Sequence, residues 1–137
     1  MTHFTMLVRA SALYDLVLTS AFAIPIVAGF KIDLLRSIHV ALSLSGDFPT
    51  FTAMHLLFLN LLGSVVIVWS VLRIRRPEPL YGFYDGLCRL MFSSAMGFAL
   101  FAGNGSAIIW AFLIPEMCWG VVQLLGYVRL RSTMAQA

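Results

Sequence analysis

The chain has 137 residues, of which 61% are hydrophobic and only 11% are charged. A water-soluble domain carries roughly 25% charged residues, so this surface cannot be wetted all round and the surplus apolar area must face lipid. The formal charge of +3 therefore does not point to nucleic acid, because in a membrane protein the placement of Lys and Arg matters more than their sum.

Four apolar runs, at about 10–30, 51–72, 81–102 and 107–128, are each long enough to cross a hydrocarbon layer of roughly 30 Å at about 1.5 Å per residue. The first is expected to be a retained membrane helix rather than a signal peptide. Arg9 is the only basic residue before Leu16, and Asp15 stands where a signal's apolar region would begin. The fold class expected is all-α: a polytopic membrane protein whose residues 1–137 form one four-transmembrane-helix bundle.

The first connection, KIDLLRSIHVALSLSGDFPT, places Leu34, Leu35, Ile38, Ala41 and Leu42 on one helical face. Asp33, Arg36, Ser37, His39 and Ser43 take the other. This spacing predicts an amphipathic helix over about 33–43 in the first outer loop. RIRRPEP ends the second run with prolines and arginines, and GNGS joins the last two runs as a tight turn. Arg9, Arg73, Arg75, Arg76, Arg129 and Arg131 fall on one face, against Lys31 and Arg36 on the other. The positive-inside rule then puts both termini in the cytoplasm of a bacterial inner-membrane protein.

Ionisable groups inside such runs are costly, at roughly 2.5–3.5 kcal/mol each near mid-bilayer, and mark candidate sites. Counting from the cytoplasmic ends puts Arg89 about 12 Å deep and Glu116 about 18 Å deep. Asn60 reaches a similar depth, with Asp15, Asp85 and Gln123 at about 6–8 Å. Asp85, Arg89 and Ser93 recur every four residues. Glu116, Trp119, Gly120 and Gln123 share one stripe, as do Asn60, Gly63 and Ser64, and Asp15 with Thr19. Such stripes face inward, away from lipid. The candidate ligand-binding set is therefore Asp15, Asn60, Asp85, Arg89, Glu116, Trp119 and Gln123. Arg89 is expected to bridge Asp85 and Glu116, since a guanidinium has donors enough for two carboxylates. Such a triad serves either as a ligand or proton site or as a tie that sets helix register. Pro115 removes a helical hydrogen bond just before Glu116, and Pro25 does the same in the first run.

Other signals are weaker. His55 lies off the Asn60 stripe and has no second intramembrane His at matched depth, so no haem or metal is expected and no cofactor is assigned. Cys88 and Cys118 form no C-x-x-C pair and read as small buried thiols. Most Trp and Tyr residues fall near span ends, as an interfacial belt would.

The layout of four compact helices with a longer first outer loop resembles the small bacterial inner-membrane proteins of the DoxX-like type. The resemblance covers the whole chain as architecture and implies no activity and no site. The expected function is binding of a small amphipathic, lipid-like or quinone-like molecule, or of a membrane partner subunit or second copy, through the inward polar cluster. Two alternatives stand beside it. One is a membrane-embedded isomerase or quinone-linked oxidoreductase in which Glu116 or Asp85 moves protons. The other is an immunity-type or accessory protein that works through its lipid-facing surface.

Overall fold

The computed structural model describes residues 3–135, with Met134 described by its backbone alone. Five α-helices account for most of it: α1 His3–Thr19, α2 Pro25–Ala41, α3 Ala53–Arg75, α4 Pro79–Phe101 and α5 Trp110–Ala135. Short 3-10 turns, Ser20–Ala23 and Ala107–Ile109, precede α2 and α5. There is no strand among the described residues. Three helical stretches are long and apolar enough to cross a membrane: His3–Ala23, Ala53–Arg75 and Ala107–Thr133. The fourth expected span, α4, matches α3 in length at 23 residues but carries Asp85 and Arg89 and falls outside that set.

The first run is not one continuous helix. Helix α1 stops at Thr19, and Ile24 is extended (φ −102°, ψ 113°), the conformation that a following proline imposes. Pro25 then opens α2 at a position where its missing N–H costs nothing. So Pro25 starts a helix rather than kinking one. A break inside an apolar region leaves carbonyls that need donors. Thr19 Oγ1 donates to Asp15 O at 2.5 Å, Lys31 Nζ donates to Leu18 O, and Asn60 Nδ2 donates to Phe22 O at 2.7 Å. Lys31 also sits over the Phe22 ring, and its burial lowers the ammonium pKa below the usual lysine range. Gly63 makes the close approach possible. A Cβ there would lie 2.6 Å from Ala23 N, so only glycine lets α3 touch the broken segment.

The helix expected over 33–43 is part of the longer α2, and its faces differ from those the spacing suggested. Ala28 and Ile32 are buried and Leu35 and His39 half-buried, while Leu34, Ile38 and Leu42 point outward. His39, assigned to the polar side, turns inward because its Nδ1 lies 2.7 Å from Ser106 Oγ. That bond belongs to a larger clasp. The connections 42–52 and 102–106 are stitched by Asp47 N to Asn104 O (2.7 Å), Ser106 N to Asp47 O (3.0 Å) and Ala107 N to Ser45 O (2.8 Å). Gly46 crosses this seam at φ +82°, where a Cβ would come within 2.2 Å of Gly105 O. GNGS is therefore half of a two-loop clasp rather than an isolated turn.

At the opposite end, α1 nests on the α4–α5 hairpin and α3 packs on α1. Phe4, Val8, Ala12 and Asp15 make the buried stripe of α1 at helical spacing. The closest pairing of α4 with α5 is at Gly86 and Gly120, where a Cβ on Gly120 would stand 3.2 Å from Arg89 Cβ. Small residues let the two backbones approach, as is common between helices in lipid.

Candidate functional site: a buried ionic cluster

Four helices each contribute to one polar centre. From α1 come Ser11 and Asp15, from α3 Ser70 and Arg73, from α4 Asp85 and Arg89, and from α5 Glu116 and Gln123. Arg89 reaches three carboxylates. Its Nε donates to Asp85 Oδ2 at 3.0 Å, Nη1 to Glu116 Oε2 at 2.8 Å, and Nη2 to Asp15 Oδ1 and Oδ2 at 2.8 and 2.7 Å. The structure thus brings Asp85, Arg89 and Glu116 together and adds Asp15 to them.

Arg73 is the residue that the sequence reading misplaced. The sequence groups it with Arg75 and Arg76 in the positive-inside count, yet its side chain is 0% exposed. Nη2 donates to Asp15 Oδ2 and Nη1 to Asp85 Oδ2, both at 2.5 Å. The reason is the direction of the Cα–Cβ bond, which leans toward a helix's own N-terminus. Arg73 ends a helix that runs toward this end of the bundle, so its side chain leans back among the helices. Asp15 and Asp85 belong to helices running the other way and lean toward it. Two sequence signals were available. Ser70 and Arg73 lie seven and ten residues beyond Gly63, on the same stripe, and Trp69 stands four residues before Arg73.

Asp85 is saturated. Trp69 Nε1 donates to its Oδ1 at 2.9 Å, and Arg73, Arg89 and Gln123 all donate to Oδ2. Trp69 is therefore a donor to the cluster as well as an aromatic near a helix end, and Arg73 stacks on its ring at 5.5 Å. Gln123, fully buried, spends its amide on Asp85 at 2.9 Å and on Ser11 Oγ at 2.7 Å. Such pairing is what allows charge away from water, because an unpaired ion in a low-dielectric interior costs several kcal/mol; among the described residues Arg73 Nε and Gln123 Oε1 are left without a partner.

Two members of the expected set stand apart from this network. Asn60 lies with the α1–α2 break, bonded to Phe22 O, because it sits thirteen residues before Arg73 on α3, roughly 20 Å along the helix from the cluster. Trp119 makes a ring pair with Tyr14 at 5.9 Å beside the cluster. The thiols also differ from expectation, since Cys118 is exposed on the outer face of α5 and Cys88 is half-buried. No group of His, Cys, Asp and Glu among the described residues could hold a metal ion.

The centre is not symmetric in exposure. Side chains of Arg73, Arg89, Asp85 and Asp15 are 0, 2, 5 and 10% exposed, and that of Glu116 is 17% exposed. Glu116 receives a single protein donor, on Oε2. On the neighbouring face of α5, Pro115, Cys118, Trp119 and Val122 line a shallow, open apolar groove of about 340 Å³, which Glu116 itself does not line. Comparison with family models, curated proteins and solved structures gives no match to this chain.

Proposed function

We propose that the chain is a multi-pass protein of the bacterial cytoplasmic membrane, with α4 as a fourth span, and that it binds a small amphipathic molecule at Glu116. The spanning role of α4 is supported by the pairing of its two charges inside the bundle. That leaves Leu87, Leu90, Met91 and Phe98 as its outward face. Removing the buried Arg73 from the orientation count leaves Arg9, Arg75, Arg76, Arg129 and Arg131 at one end, against Lys31 and Arg36 at the other. The bias still favours cytoplasmic termini. In a variant without Cys88 and Cys118, Ala102→Cys should label with an impermeant thiol reagent in intact cells and Ser132→Cys should not. The reverse pattern overturns the orientation.

The observation that carries the binding role is Glu116 itself. Among the described residues it is the one carboxylate of the cluster with a single protein donor, it is the most exposed, and its sequence neighbour Pro115 lines an apolar groove. A polar anchor at the edge of an apolar channel suits a molecule with a polar head and an apolar tail. Organic extracts of the purified protein should contain an amphiphile that is depleted from Glu116→Gln. The amide of that variant still offers Arg89 an oxygen, so the fold is retained. Identical extracts sink the proposal.

A second reading has its own support. Asp85 is saturated by four donors, as expected of a cluster that ties helices together in an accessory subunit with outward-facing contacts. In that case Glu116→Gln leaves every phenotype intact, whereas loss of Arg89 removes the protein.

A further inference from the structure

Resting on the ligand-binding reading of Glu116, we infer that the head group bound there is a primary ammonium, seated between Glu116 and Ser93. Charge comes first. The cluster holds the carboxylates of Asp15, Asp85 and Glu116 against only the guanidiniums of Arg73 and Arg89, so one negative charge is formally in excess. In a low-dielectric setting that excess is removed by a proton or by a bound cation, and Glu116 is the carboxylate with room left for one.

The second observation is independent of charge. Ser93 is 9% exposed and its Oγ has no partner among the described residues. Helical serines normally satisfy themselves by bonding back to the preceding turn. Here Ser37, Ser64, Ser94 and Ser132 all donate to the carbonyl four residues earlier, at 2.8–3.0 Å. Ser93 does not, and it lies on the buried face of α4 that carries Asp85 and Arg89. The helix register puts it opposite Glu116. Gly120 meets Arg89, and in an antiparallel pair one turn onward on each helix brings Ser93 level with Glu116. A further turn along, a Cβ on Gly97 would meet nothing within 4 Å, so there is open space above the serine.

The Glu116 carboxylate and the Ser93 hydroxyl form an acceptor-rich site with a net negative charge. A primary ammonium offers three donors and one positive charge, matching both requirements. An alcohol lacks the charge, and a quaternary ammonium lacks the donors. The ammonium can belong to a membrane aminolipid or to a free long-chain amine, and the chemistry recognised is the same.

The test uses the full-length protein in dodecyl maltoside, with the unfolding midpoint read by tryptophan fluorescence. Dodecylamine should raise the midpoint saturably, while dodecanol, dodecanoate and dodecyltrimethylammonium should not. Glu116→Gln should abolish the shift, and Ser93→Ala should weaken affinity about tenfold, the worth of one hydrogen bond to a charged group. Gly97→Leu fills open space and should fold, yet it should block binding. Nanodiscs of phosphatidylcholine with and without phosphatidylethanolamine separate the sources, since stabilisation by the latter assigns the aminolipid and by dodecylamine alone the free amine. Equal shifts from the neutral or anionic probes, or an unchanged shift in Gly97→Leu, overturn the ammonium site. If dodecanol binds in a Glu116-dependent way, ligand binding stands without the ammonium. If no amphiphile of any charge binds, the ligand reading falls with it.

Discussion

The two ends of the bundle are held by different means. Around the α3–α4 connection, four helices meet through charged side chains: Arg73 and Arg89 against Asp15, Asp85 and Glu116. At the other end the clasp between 42–52 and 102–106 is made of backbone bonds around Asp47, Asn104 and Gly105, with His39 and Arg36 as side-chain supports. Backbone groups always carry a donor and an acceptor, so a seam between loops needs only the right φ and ψ. A charged centre needs every partner present at once. The first kind of contact tolerates changes of side chain and is broken by a misplaced Cβ. The second rests on side chains and fails when one ion is lost.

Arg89→Leu should give the largest effect. It strands Glu116 and leaves Asp15 and Asp85 to share Arg73, so unfolding in detergent should be easier by about 3–5 kcal/mol. Adding Glu116→Leu should return part of that loss, since one stranded charge is removed. Wild-type stability in the single variant would mean that ions do not hold this end.

At the clasp, Gly46→Ala forces a Cβ against Gly105 O in left-handed backbone and should cost about 1–3 kcal/mol. Limited proteolysis should then cut within 42–52, while the donor bond from Trp69 to Asp85 persists and its fluorescence stays unchanged. A change in Trp69 emission would show that the two ends are coupled rather than separate.

The smallest effect is expected from Trp69→Phe, which keeps the ring and removes one donor of the four on Asp85. A loss of about 0.5–1.5 kcal/mol in denaturant unfolding is expected. A loss as large as that of Arg89→Leu would mean that the indole, and not the guanidiniums, organises the centre.

Periodicity by itself was enough to place Asp85, Arg89, Glu116, Gln123 and Asp15 on inward stripes, because helical phase is a local property that neighbouring residues share. Composition alone excludes a fully wetted surface, in keeping with the three helical stretches long and apolar enough to cross a membrane. Arg73, Asn60 and His39 were decided elsewhere. The fate of Arg73 depends on the opposed directions of α1, α3 and α4, which aim its guanidinium at Asp15 and Asp85 rather than at water. Asn60 follows from where α1 stops, which depends on Pro25 and on Gly63 receiving the broken segment. His39 turns inward only because Ser106, far away in sequence, waits there. Each of these is a contact between residues distant in the chain, and only the packed helices bring the two partners within reach.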